Sequence, residues 1–76
     1  MVRTATAAGR FYLIKRPTRE YLVQFKEVSS QYAHSAVIRY HDEVGFQIAT
    51  IPLRDLSTVD QEAAKALWLL QTGEEV

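Results

Sequence analysis

His41, Asp42 and Glu43 form the one tight cluster in this 76-residue sequence where a histidine sits among carboxylates. Such a group can shuttle protons or help to hold a metal ion. A metal site also needs further ligands in defined geometry, and no spacing in the chain supplies them. The cluster therefore reads as a solvated hairpin tip. His34 lies in the polar stretch 28–35, and its spacing from His41 does not bring the two together, so it reads as a surface histidine. Ser29, Ser30 and Ser35 lack the context of an activated nucleophile, and Ser57 is better placed to cap a helix. Gly9, Gly45 and Gly73 are scattered and form no phosphate-binding loop. The absence of cysteine removes disulfides, zinc ribbons, thiol catalysis and iron–sulfur clusters together. No catalytic residue, cofactor-binding residue or metal ligand is predicted. A chain this short also leaves little room for a pocket of roughly 300 Å³ or more. A non-enzymatic role is expected.

Binding chemistry has more to work with. Six of the eight aromatic residues fall between Phe11 and Tyr40, among most of the basic ones. A sheet face carrying Phe11, Leu13 and Leu22 with Lys15 and Lys26 can stack bases and hold phosphates. Arg10, Lys15, Arg16, Arg19 and Lys26 are the candidate contacts to nucleic acid, Arg16 and Arg19 reaching out from a hairpin tip. In outline, strands followed by one helix resemble the small sheet-plus-helix DNA-binding domains of phage-integrase arm modules. That resemblance implies a sheet that reads the major groove. It rests on element order, and a fourth strand departs from the pattern.

Trp68 and Leu69 point to a different class of partner. Both fall off the apolar stripe of a C-terminal helix, in a chain with little core to hide them. Exposed aromatic anchors make protein interfaces. Trp68, Leu69, Phe11 and Leu22 are the predicted protein-interface residues, with Arg16 and Arg19 steering the approach. On this reading, truncating Trp68 weakens partner binding more than it lowers stability. The opposite ranking would make Trp68 core.

The elements that must position these residues follow from the apolar pattern. Residues 1–9 are small and polar and read as a flexible N-terminal arm, and residues 10–76 as one small α+β domain. Phe11-Tyr12-Leu13-Ile14 and Tyr21-Leu22-Val23-Gln24-Phe25 are rich in β-formers and read as strands. Arg16-Pro17-Thr18-Arg19 turns between them, Pro17 suiting the second turn position. Pairing Arg16 with Arg19 sets Lys15 opposite Glu20 and puts Tyr12, Ile14, Tyr21, Val23 and Phe25 on one face, the better core. Residues 36–40 and 46–51 form the second hairpin, closed by a five-residue loop at 41–45, which places Ile38 opposite Ile48 and Tyr40 opposite Phe46. Pro52 ends the fourth strand. Ser57 caps a helix over about 58–72 that Gly73 stops. Its stripe is Val59, Ala63, Ala66, Leu67 and Leu70. The expected fold is a four-stranded antiparallel sheet of two hairpins (10–26 and 36–51) with the helix packed on one face.

Charge and length bound the rest. The formal net charge is zero. Residues 1–41 hold seven Lys/Arg against two acids, and residues 42–76 hold two against seven. Such a split makes a dipole if the halves occupy different faces, and cancels if they interleave. No run is long enough to span a membrane, and neither end matches a secretory or lipidation signal, so a cytoplasmic protein is expected. The leading expectation is a small protein-binding module, a regulator, adaptor or inhibitor that docks on a larger partner. Its size suits a product of a phage or mobile element, of the anti-CRISPR kind. The alternative is a nucleic-acid-binding domain, and a homodimer is a third reading because so small a core gains from a partner. No cofactor is expected.

Overall fold

A computed structural model describes residues 8–75. Most of the expected N-terminal arm therefore lies outside the described residues. Strands β1 (Phe11–Lys15), β2 (Glu20–Val28), β3 (Ser35–Asp42) and β4 (Gly45–Pro52) form one antiparallel sheet in the order β1-β2-β3-β4. A 3-10 turn at Leu53–Asp55 and helix α1 (Gln61–Thr72) follow. The fold is α+β, a four-stranded open sheet with one C-terminal helix.

The first hairpin folds as its turn chemistry dictates. Arg16 and Arg19 exchange backbone hydrogen bonds at 2.9 and 3.3 Å, and Lys15 stands opposite Glu20. The second hairpin differs from expectation by one residue. Its loop is only Glu43-Val44, because the Asp42 carboxylate accepts hydrogen bonds from the Val44 and Gly45 N–H groups and tightens the turn. Ile38 therefore pairs with Ala49, Tyr40 with Gln47, Arg39 with Ile48 and His41 with Phe46. A one-residue slip exchanges the faces of a strand. Phe46 and Ile48, expected inward beside Tyr40 and Ile38, sit on the other side and are 42% and 62% exposed.

The two faces of the sheet carry separate apolar clusters. One joins Ile14, Val23, Phe25, Ala36, Ile38 and Ile51, rimmed by Tyr12, Tyr21, Tyr40, Ala49 and Leu56. No residue of α1 belongs to it. A bulge between Phe25 and Glu27 bends β2, which helps the sheet wrap this side. The second cluster joins Phe11 and Leu22 to Ala64 and Trp68, with Leu13 and Val59 alongside. The helix thus lies on the face expected to be free, and the face expected to carry it is left without one.

Helix α1 is also rotated and shortened relative to expectation. Asp60, not Ser57, is the N-cap, its carboxylate accepting from the Ala63 N–H at 2.9 Å. Gly73 ends the helix in the left-handed conformation, φ 76°, its N–H donating to Leu69 C=O. The buried positions are Ala64 and Trp68, one turn apart, while Ala63, Ala66, Leu67 and Leu70 are exposed. The indole is the largest apolar group available, and Ala64 lets the helix axis approach the sheet. Burying that pair outweighs burying the wider but shallower leucine stripe.

Ser57 has a different task from the expected cap. Its backbone exchanges hydrogen bonds with Leu13 at 2.9 and 2.8 Å, on the outer edge of β1. One pleat further along, the Gln61 side chain does the same for Phe11: its Oε1 accepts from the Phe11 N–H at 2.8 Å and its Nε2 donates to the Phe11 C=O at 2.9 Å. A side-chain amide here stands in for a neighbouring strand. Between Ser57 and the end of β4, Leu56 packs on the helix-free cluster. The chain leaving one edge of the sheet thereby closes the other.

Candidate functional site

The helix-free face holds a cavity of about 330 Å³ lined by Ile14, Arg16, Tyr21, Val23, Ile38, Tyr40, Ala49 and Ile51. A pocket of that size was not expected in so short a chain. Ile14, Val23, Ile38 and Ile51 form an apolar floor, all under a tenth exposed. Tyr21, Tyr40 and Ala49 are half-buried and Arg16 is exposed, so these four make the mouth. The register builds this arrangement directly. Ile14 pairs with Tyr21, Val23 with Tyr40 and Ile38 with Ala49, stacking alternate residues of all four strands on one side. The small Ala49 is what leaves the space.

The mouth is aromatic and positively charged. Tyr21 and Tyr40 meet edge to face with ring centres 5.7 Å apart. The Arg19 guanidinium lies 4.5 Å from the centre of the Tyr21 ring, and that of Arg10 lies 5.9 Å from Tyr12 further along the same face. Arg16 makes a long contact of 3.8 Å with Asp55, both partly exposed. Its Nη1 also donates to the Lys15 C=O at 3.2 Å, and both contacts are long and at the surface. The groove therefore offers an apolar floor for one side chain or ring, and cations at its lip for negative charge beside it.

The helix-covered face contains a polar cluster of another kind. Arg39 makes a two-pronged ion pair with Glu74, both contacts 2.8 Å, and reaches Gln24 at 3.2 Å. Its guanidinium lies 4.0 Å from the centre of the Phe46 ring. Glu74 also accepts from the Trp68 indole N–H at 2.9 Å. The Arg39 and then the Trp68 hydrogen bonds hold the Glu74 carboxyl down at about 2, and the same pair raises the Arg39 pKa further. Every strong donor and acceptor here has a partner, which makes the cluster a clamp on the C-terminal end of α1. It also joins the basic and acidic halves of the sequence, as Arg16 and Asp55 do, so the charge split is in part cancelled by interleaving.

The predicted site residues are not brought together. Trp68 and Phe11 are fully buried against each other, ring centres 5.3 Å apart, and Leu22 is 6% exposed in the same cluster. These three are core, which corrects the expectation that they form a docking surface: helix rotation spends them on folding. Leu69 stays on the outer side of α1, 45% exposed. Arg16 and Arg19 do sit at an exposed hairpin tip. Of the expected nucleic-acid face, Phe11 and Leu22 are covered and Leu13 is half-buried. Arg10, Lys15 and Lys26 remain exposed. His41 packs edge-on against Phe46 at 5.0 Å, Asp42 serves the turn and Glu43 is exposed, so that cluster does not converge. Among the described residues, no group of three His, Asp or Glu side chains could hold a metal ion. None of the helices described is long and apolar enough to cross a membrane.

Tyr21, Tyr40 and Ala49 were not among the predicted contacts. A usable signal existed: three tyrosines on the face taken for core. Tyrosine carries a polar tip and favours boundaries over interiors. The chain matches no family model, and no curated protein sequence or solved structure matches it.

Proposed function

We propose that this is a small protein-binding module that acts by docking on a larger partner, with no catalytic step of its own. The observation that carries the reading is the apolar groove with Arg16 at its lip and the Arg19–Tyr21 stack beside it. Its chemistry suits a partner segment that inserts one apolar side chain and presents carboxylates next to it. Apolar anchoring supplies affinity in such contacts, and charge supplies orientation and on-rate. A regulator or inhibitor encoded by a mobile element would fit this mode, and a cytoplasmic location goes with it. The test is capture of partners on the immobilised full chain from a nuclease-treated lysate of the organism that encodes it. Saturable retention of a particular protein is expected. Retention seen only in a parallel lysate that is not nuclease-treated speaks against it.

A second reading is favoured by the two arginine–tyrosine stacks on this face. Tyr12, Tyr21 and Tyr40 with Arg10, Arg16 and Arg19 could stack bases and meet phosphates of a single strand, while Lys15 alternates onto the Phe11 side of the sheet and Lys26 lies in the bulge of β2. Titration against single-stranded DNA and RNA at low salt separates the two. Binding whose affinity falls steeply with added salt supports this second reading, and no binding removes it.

A further inference from the structure

The two outer edges of the sheet are treated differently, and the open one fits itself. On β1, Ser57 and the Gln61 side chain occupy the outward backbone groups of Leu13 and Phe11. On β4, nothing among the described residues does. Backbone hydrogen bonds alternate along an antiparallel strand. The Leu53 N–H donates to His34 C=O at 2.8 Å in continuation of the β3–β4 register, so Ile51, Ala49 and Gln47 face β3. Phe46, Ile48 and Thr50 therefore aim their N–H and C=O groups outward, and among the described residues none of these groups has a partner. Natural edge strands are usually blunted by charge, a bulge or proline. Strand β4 carries no charged residue from Gly45 to Ile51, and its register with β3 is unbroken. Its one proline is the last residue.

We propose that the outer edge of β4 is a docking site for a second copy of this chain, pairing antiparallel about a two-fold axis at Ile48. This goes beyond the groove reading and does not depend on it. The register is fixed by the outward groups themselves. Centring on Ile48 pairs Ile48 with Ile48 of the other copy and Phe46 with its Thr50, so every outward N–H and C=O of the three residues is used. Centring two residues later would need an N–H from Pro52, which has none. Centring two residues earlier would run past the Glu43-Val44 turn. In the chosen register, apolar Ile48, 62% exposed in one chain, meets its own copy, and Phe46 covers Thr50. No like charges face each other, and a chain of zero net charge has no long-range repulsion from its copy. Because the β1 edge is closed, addition stops at two chains rather than growing into a fibre. A peptide strand from another protein would also find hydrogen bonds on this edge, but would lack the matched two-fold register.

The test is the molar mass of the full chain by sedimentation equilibrium from micromolar to millimolar concentration. Wild type is expected to shift from one chain to two and to stop there. Ile48→Lys sets two cations face to face at the axis and is expected to stay monomeric. Thr50→Pro removes an N–H that has no partner within the chain, and is expected to weaken the dimer about tenfold or more through the bonds lost at both symmetric positions. Circular dichroism of both variants should match wild type, since the changed groups point outward. A wild-type chain that stays monomeric overturns the proposal. So does a dimer that both folded variants preserve, or an assembly that grows without limit. Partner capture through the groove is scored separately, so loss of either result leaves the other readable.

Discussion

Both faces of the sheet are built from the same four strands, yet their aromatic and charged groups are handled in opposite ways. Under α1, Trp68 is sealed against Phe11, its N–H is taken by Glu74, and Glu74 is held by Arg39. Nothing strong is left over. On the other face, tyrosines half-cover a cavity, and the nearby arginines rest on rings or are held by one long ion pair and one long backbone contact. The first arrangement resembles a finished core, where each polar group is satisfied and removal of one is costly. The second leaves apolar space and positive charge at the surface. Placement of the helix decides which is which.

If that contrast is right, substitutions on the two faces should have different signatures. The largest effect belongs to Trp68→Ala, expected to cost about 3–5 kcal/mol in chemical denaturation. Small domains hold only about 5–15 kcal/mol in total, so this variant should be marginally folded at best. A loss below about 1 kcal/mol would mean that the indole is not core, and the faces would have to be exchanged. Next is Gln61→Ala, which strips the pseudo-strand from Phe11 and leaves its partly buried N–H and C=O unpaired. A cost of about 1–3 kcal/mol is expected, read from the urea midpoint. A neutral result would show that the β1 edge is as open as that of β4.

The clamp on the helix face should also be visible in pH. Glu74 titrates in the folded chain at about 2, below the ordinary carboxylate value of 4.5. Its contribution is therefore present above that ordinary value and is lost as pH falls from 4.5 toward 2. Stability measured through this window should drop in wild type, and that part of the drop should be missing in Glu74→Gln. The smallest effect is expected from Arg16→Ala. The Arg16–Asp55 pair is long and exposed, so stability should change by less than about 1 kcal/mol, while partner association should slow and become less salt-dependent.

The fold class was legible because strand and turn signals are local. Pro17 with the paired arginines set the first hairpin, and Gly73 marked the helix end. What sequence could not rank was competition between long-range contacts. Asp42 tightened the second turn by claiming the Val44 and Gly45 N–H groups, and that shift of one residue moved Phe46 and Ile48 to the other face. The leucine stripe of α1 lost to a single tryptophan whose partners, Phe11 and Glu74, lie far from it in position or beyond the helix end. The groove was illegible for the same reason. It depends on Ala49 arriving opposite Ile38, a consequence of the corrected register. The exposure of Arg16 and Arg19 was legible because a hairpin tip is exposed whichever face the helix takes.

Ala49→Leu tests the groove most directly, because it fills the cavity from its lip without touching the helix face. Thermal stability and partner capture are measured on the same preparation. A melting point close to that of wild type with loss of the captured protein is the predicted result, since added methyl groups can occupy the existing space. Undiminished capture by a folded Ala49→Leu chain would contradict it, and would move the binding surface away from the helix-free face.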